Sequence, residues 1–311
     1  MATLPRITVI TPCRNGGGTI AEAVESIRAQ RYPNLQHIVQ DACSTDGTLA
    51  LLQRYPEITV ISEPDEGSHD AMNRGLARAS GEIIGFLNVD DLYPPGVLES
   101  VGRLFADDPT LDVVVGRAVM FEDDGCGRRR VLSQWSHSRG MWLPELAFGV
   151  PGINGWFFRR TVFDRIGTFD NSYSFSADRR SLILIALAGL NARLLGSPGI
   201  HYRRHAGSRT LNREMANLRP ITQEHVRMAL ELAQRSDAGP AQRRVLLAWH
   251  AFEGAKLFVR EIASGHGRDA FVGLLALFRR HPRWPLRLLH GVTLRHVVGK
   301  LDAHMPHATI S

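Results

Sequence analysis

Over the first ninety residues, short apolar runs alternate with longer stretches in which apolar residues recur every three or four positions. The runs at 7–12, 36–40, 58–62 and 82–89 are rich in β-branched residues and bounded by turn formers, as buried strands of a parallel sheet are. The stretches at about 19–30, 48–54 and 68–79 have helical spacing, and Thr19-Ile20-Ala21-Glu22 has the form of a capping box. Strand and helix in strict alternation, with connections of a few residues, predict a parallel sheet with right-handed crossovers. Residues 112–121 predict another strand and 122–130 a polar hairpin tip, with Asp123-Asp124-Gly125 as its turn. From Met215 the pattern is helical, with helices predicted around 221–235, 241–264, 268–278 and 285–301.

This order gathers chemistry on one edge of the sheet. Pro12, Asp41, Ser62 and Asp90 follow the carboxyl ends of their strands, where ligands of open α/β sheets sit. Each loop then enters a helix N-terminus, which favours phosphate. The run Ile83-Ile84-Gly85-Phe86-Leu87-Asn88-Val89 stops on Asp90-Asp91, which suits a divalent cation shared with phosphate oxygens. The alternative is that the two acids only begin a turn and cap the helix near Pro95. Asp41, Asp46, Asp65 and Asp90 crowded together should repel one another unless a cation or a donor-rich ligand is present. Asn15-Gly16-Gly17-Gly18-Thr19 lacks the spacing of a dinucleotide-binding turn, and no phosphate-binding loop of the G-x-x-x-x-G-K-[ST] type occurs.

Composition narrows the class. An apolar fraction of 44% over 311 residues is ample for a large core with a helical appendage. Cys13, Cys43 and Cys126 lie far apart, suggesting neither a disulfide framework nor a zinc site. No secretory leader pattern opens the chain and no apolar run is long enough to span a bilayer. The expectation is a cytoplasmic protein, at most peripheral on the inner face of the plasma membrane. Lys and Arg outnumber Asp and Glu by 37 to 31; residues 212–311 hold 15 and 8 of these, so the basic character belongs to that segment. Arg128-Arg129-Arg130 lacks interleaved aromatics and reads as a solvated strand start, so no nucleic-acid partner is expected.

Five blocks then match a known family in order. Ile7 to Pro12 with Asn15, Ser26-Ile27-x-x-Gln30-x-Tyr32-Pro33-Asn34, and Asp41-x-x-Ser44-Thr45-Asp46-Gly47-Thr48 resemble the opening of family-2 glycosyltransferases with the GT-A fold. Ser62-Glu63-Pro64-Asp65-x-Gly67-x-x-Asp70-Ala71-Met72-Asn73-Arg74-Gly75 and Gly81-Glu82-x-Ile84-x-Phe86-Leu87-Asn88-x-Asp90-Asp91 resemble the next blocks. The resemblance covers roughly residues 6–210 and favours the branch that builds bacterial surface polysaccharides and lipid-linked oligosaccharides. It implies an α/β fold: a Rossmann-like, mostly parallel sheet flanked by helices, with a basic helical extension over 213–311. The nucleotide-sugar half would span about 1–110 and the acceptor half about 111–212.

The resemblance also implies roles. Thr11, Pro12 and Asp41 would frame the nucleobase, the Asp41 carboxylate accepting from a uracil imide; Arg14 and Asn15 lie in the same loop. Arg14 stands where the family often has an aromatic. Asp65, Asn73 and Arg74 would line the ribose and diphosphate. Asn88, Asp90 and Asp91 would occupy the metal-binding motif, holding Mn2+ or Mg2+ against the leaving diphosphate. Asp178, in Phe175-Ser176-Ala177-Asp178-Arg179-Arg180 before an apolar helix running to Leu190, would be the base of an inverting transfer, with a plain helix N-cap as the alternative. Gly167-x-Phe169-Asp170 resembles a structural segment of the family, and Tyr202-Arg203-Arg204-His205-Ala206-Gly207-Ser208 its late loop. His205 would be a metal ligand or diphosphate contact, or else a surface histidine. Asn154 stands where the branch often has a His-Gln pair. Trp135, Met141, Trp142, Leu143 and Trp156 cluster on the acceptor side, for sugar stacking or for core packing.

The implied partners are a nucleotide-sugar donor, most simply a UDP-sugar, and a glycan or lipid-diphosphate-linked acceptor. The basic amphipathic tail around Phe271–Phe278 and Trp284 fits an anionic membrane surface or a helical lid with a solvated face. Two rivals remain: a sugar nucleotidyltransferase, which would want a basic Gly-rich loop with a Lys, and a non-catalytic glycan-binding protein of the same fold.

Overall fold

A computed structural model of the chain describes residues 4–123, 128–135, 140–150, 152–205, 207, 215–280 and 282–302. The first half alternates as its apolar pattern requires: β1 (Ile7–Cys13), α1 (Ile20–Arg28), β2 (Leu35–Asp41), α2 (Thr48–Leu52), β3 (Thr59–Ser62), α3 (Ser68–Arg78), β4 (Ile83–Phe86) and α4 (Val97–Asp107). Then follow β5 (Val113–Asp123), β6 (Arg129–Trp135), α5 (Leu143–Phe148), β7 (Trp156–Arg159), α6 (Thr161–Ile166), α7 (Ala177–Leu187) and β8 (Ala192–Arg203). Among the described residues four helices follow: α8 (Met215–Gln234), α9 (Pro240–Ala263), α10 (Gly267–Arg280) and α11 (Trp284–Asp302).

The eight strands form one sheet in the order β3-β2-β1-β4-β7-β5-β6, with β8 on β5. The first four pair in parallel, as expected. Beyond β4 the sheet turns mixed, since β7 lies antiparallel to both β4 and β5 while β8 runs parallel to β5. The expected strand at 82–89 ends at Phe86; Leu87 still donates to the Ile10 carbonyl, and the chain then turns through Asn88–Asp91. The turn of the β5–β6 hairpin, with Cys126, lies outside the described residues.

The expected capping box does not form. Thr19 makes no side-chain cap, and α1 starts instead on backbone bonds to the Gly16 carbonyl. Glu22 is drawn away because Arg203 and Arg129 donate to its carboxylate at 2.9 and 2.7 Å. A charge-assisted pair outweighs a local capping bond.

One apolar cluster runs from Ile10, Ile84 and Phe86 through Leu182–Ile185 of α7 to Met228, Leu232, Leu246 and Trp249 of α8 and α9. The C-terminal helices therefore pack into the same core as the sheet. A second cluster lies on the opposite face, under α1 and α4.

Within β1 and β2, the Thr11 hydroxyl meets His37 Nε2 at 3.0 Å, both buried. Burial pushes the His37 imidazole down to about 3. A depressed histidine contributes stability that is complete above its unfolded value near 6.5 and is lost as pH falls toward 3. Between pH 7.5 and pH 5, His37 alone should cost about 2 kcal/mol. Urea unfolding at the two pH values should show this loss, and His37→Gln should flatten the profile.

Candidate active site

A cavity of about 670 Å³ opens at the carboxyl edge of the sheet. Pro12, Arg14, Ala42, Asp65, Asn88 and Asp90 line one side of it. Asn154, Trp156, Phe175, Asp178 and Arg179 line another, joined by Ile221 and His225 of α8. The cavity thus brings together Asp90 and Asp178, which lie 88 residues apart in the chain.

The loops on the first side are stitched to each other. Asn15 Oδ1 accepts from the Thr45 amide at 2.9 Å, and the Asn15 amide donates to Ser44 Oγ at 2.7 Å. Asp46 accepts from the Gly17 amide at 2.8 Å and caps α2 through Thr48. Asp41 is fully buried and accepts from the Ser44 amide at 3.0 Å, from the Ser62 hydroxyl at 2.7 Å and from the Ser44 hydroxyl. The expectation of crowded, mutually repelling acids therefore needs correction. Local amides and hydroxyls already satisfy Asp41 and Asp46, so neither requires a cation.

Several predicted site residues do not line the cavity. Thr11 is turned inward to His37, and Asp41 is buried against Ser44 and Ser62. Asn73 braces the Phe169 backbone, donating to its carbonyl and accepting from its amide, each at 2.9 Å. Arg74 is paired with Asp70 at 2.8 Å and with Glu63 at 3.2 Å. Asp65 does border the cavity; burial raises its carboxyl above the usual range against the Gly67 amide that it accepts from.

The two acids after β4 have different fates. Asp91 is 1% exposed, and its Oδ1 accepts from the Arg203 amide at 2.9 Å. Burial, with the Asp90 charge beside it, raises its carboxyl well above the usual carboxylate range. Asp90 faces the cavity, and its Oδ2 lies 2.8 Å from His205 Nε2. Among the described residues no group of three or more His, Cys, Asp or Glu side chains is poised around one point. A carboxylate and an imidazole at the rim nonetheless suit a cation of the Mn2+ type that takes its other ligands from phosphate oxygens and water.

Asp178 sits in the first turn of α7, and its Oδ1 accepts from the Arg179 amide at 2.7 Å. The residue at the N-cap position is Ser176, not Asp178. The segment leading to it is gripped by α8. Glu224 accepts from the Phe175 amide at 3.2 Å, Arg227 donates to the Ser172 carbonyl at 2.6 Å, and Glu231 takes the Tyr173 hydroxyl at 2.6 Å and Arg180 at 2.8 Å. These three lie three and four residues apart, on one helix face. Sequence reading missed this part of the site because the charged face of α8 looks solvated until its partners are known. It missed His225 likewise; burial, with the Arg179 cation, pushes that imidazole down to about 4.

Bare backbone forms part of the far wall. A Cβ at Gly116 would lie 2.7 Å from Gly199 Cα and would collide with the Gly155 carbonyl oxygen. Three glycines from β5, β8 and the turn before β7 therefore meet with no room for a side chain. Trp156 is 1% exposed and belongs to the core although its edge borders the cavity; Leu143 is buried, and the side chain of Trp135 lies outside the described residues.

Residues 8–183 match the model of glycosyl transferase family 2. The chain belongs to that family. It is 33% identical over 124 residues to the putative teichuronic acid biosynthesis glycosyltransferase TuaG of Bacillus subtilis, covering 38% of this chain and 49% of that one. It is 32% identical over 197 residues to an uncharacterized glycosyltransferase of Mycobacterium tuberculosis, covering 60% of this chain and 71% of that one. The chain thus spans about half the length of the first relative. Among solved structures, S. aureus TarS 1–349 with UDP-GlcNAc superposes with a TM-score of 0.63 at 17% identity, over 95% of this chain and 83% of that one. The mannosyltransferase PcManGT from Pyrobaculum calidifontis, with GDP-Man and Mn2+, gives 0.56 at 21% identity, over 97% and 88%. These likenesses establish the GT-A fold expected from the sequence motifs.

Arg179 ties α7 to the carboxyl end of α5. Its guanidinium, buried over Trp249, donates to the carbonyls of Leu146 and Ala147 at 2.9 Å and of Gly149 at 3.2 Å, closing the carboxyl end of α5. Arg179→Lys cannot reach all three, and should cost about 2 kcal/mol in urea unfolding.

Proposed function

We propose that this protein is an inverting, divalent-metal-dependent transferase acting on a nucleotide-sugar, most simply a UDP-sugar, in the synthesis of a cell-surface glycan. The observation that carries the reading is a single cavity bordered by Asp90 on the nucleotide side and Asp178 on the acceptor side. The relative named for teichuronic acid synthesis supports the surface-glycan assignment, and the neighbours bound to UDP-GlcNAc and GDP-Man support the donor class. Residues up to about 110 would serve the donor, and those from about 111 the acceptor.

In this reading the Asp178 carboxylate takes the proton of an acceptor hydroxyl as its oxygen attacks the anomeric carbon. The bond from that carbon to the diphosphate oxygen breaks on the opposite face, and the nucleoside diphosphate leaves. Asp90 and His205 would hold a cation of the Mn2+ or Mg2+ type, which neutralises charge on the diphosphate. Pro12, Arg14 and Asp65 border the nucleotide, Asn88 flanks the acid turn, and the N-terminus of α3 faces the same space. Asn15 and Asp41 support the base-side loop from below.

The acceptor is a glycan or a lipid-diphosphate-linked glycan, met at an anionic membrane surface. Among the described residues no helix is long and apolar enough to cross a membrane. Yet of the twelve large apolar side chains exposed among the described residues, nine lie on α9, α10 and α11, Phe271, Leu275, Leu286 and Leu289 among them. Exposed Arg279 and Arg295 share those helices, and exposed Arg283 lies in the turn between α10 and α11. Apolar groups flanked by arginines suit an interfacial helix on anionic lipid.

Asp178→Asn should lower transfer at least about a thousandfold while leaving UDP affinity nearly unchanged. Normal turnover in that variant would remove Asp178 from the role of base. UDP and manganese together should raise Tm by more than their separate effects add up to. The membrane assignment predicts flotation with vesicles containing phosphatidylglycerol, absent with neutral vesicles and lost in Phe271→Ser/Leu275→Ser. Equal flotation of that double variant would reject it.

A further inference from the structure

We infer that Arg203 is the positioning residue for the Asp90 carboxylate, holding the acid turn against both β8 and α1. The inference rests on the reading above that Asp90 holds the cation. Arg203 ends β8 and is 5% exposed. Its Nε donates to the Asp90 backbone carbonyl at 2.9 Å, and its own amide donates to Asp91 Oδ1 at 2.9 Å. One guanidinium nitrogen reaches Glu22 Oε2 at 2.9 Å, another reaches Asp123, and the plane lies 4.9 Å from the Phe121 ring centroid. Just before it, Leu92 and His201 exchange backbone bonds of 3.0 and 2.9 Å, which fixes the register between the turn and β8.

Two features separate this arrangement from an ordinary buried ion pair. Arg203 does not line the cavity, so it cannot touch substrate; what it touches is the backbone of the residue that does. Its charge is also spent locally, since Arg203 and Arg129 face Glu22 and Asp123 in a balanced group of four. Little net field is left to act on a diphosphate. What remains is geometric. Two residues further on, His205 meets the Asp90 carboxylate, so one strand end grips Asp90 at its carbonyl and at its side chain. Glu22 extends the grip to α1, which follows the loop bearing Arg14 and Asn15. Only a planar fork with five donors serves the Asp90 carbonyl, Glu22 and Asp123 together; an ammonium does not.

The test is calorimetry of UDP binding to the whole chain, in manganese and in EDTA. Arg203→Lys should cut the manganese-dependent gain in UDP affinity about tenfold, the scale found for groups that orient metal ligands, while affinity in EDTA stays within about twofold. Glu22→Gln removes one ionic partner at a half-exposed position, and should move the same ratio in the same direction by less. It serves in place of Arg203→Lys should that chain fail to fold. A full gain in folded Arg203→Lys overturns the inference, as does an equal loss in manganese and in EDTA, which a purely structural role predicts. Asp90→Asn is the control. If it keeps the full gain, the reading of the site falls and the inference with it. If it loses the gain while Arg203→Lys and Glu22→Gln keep theirs, only the positioning role falls.

Discussion

Charged and polar groups taken out of water must find partners inside the protein, or the fold bears several kcal/mol for each. This constraint orders most of the carboxyl edge of the sheet, where Asp91 Oδ2 is buried without a hydrogen-bond partner among the described residues. Asp41 is met by two serines, Asp91 by an amide of β8, Arg179 by three carbonyls and Arg203 by two carboxylates and a fourth carbonyl. Each satisfied group joins segments distant in sequence, so the loops around the cavity are held as one frame. Groups that line the cavity, such as Asp90 and Asp178, are the ones left facing its open space.

The same logic makes α8 part of the site. Its apolar residues Met228 and Leu232 enter the main core, which anchors the helix. Glu224, Arg227 and Glu231 then hold residues 172–180, the segment that presents Asp178. Packing supplies most of the docking energy, while the charged contacts fix orientation. Asp178 is therefore positioned by a helix that follows it by some forty residues.

Much of the first half was legible in the sequence because its periodicities are unbroken and its loops carry distinctive chemistry. Ile7 to Pro12 and residues 36–40 carry no Asp, Glu, Lys or Arg, and the acids fall where strands must end. Less could be read beyond residue 110. The long strand β8 is broken by Gly196, Pro198 and Gly199, which produce register shifts against β5 and hide the alternation. Burial also reassigned side chains that motif reading treats alike: Asp90 and Asp91 are neighbours, yet one faces the cavity and the other faces Arg203. Which partner wins Glu22, the helix cap or Arg203, depends on a residue 181 positions away. No local window contains that competition.

The meeting of Gly116, Gly155 and Gly199 has a consequence for how this cleft can diversify. Any side chain introduced there would push β5, β8 and the turn before β7 apart, so that patch of the wall offers only peptide groups. Variation in what the protein accepts must then be written elsewhere, on α7, α8 and the exposed turn around Val150. Chains descended from this one would keep a constant floor and change their taste through the opposite bank.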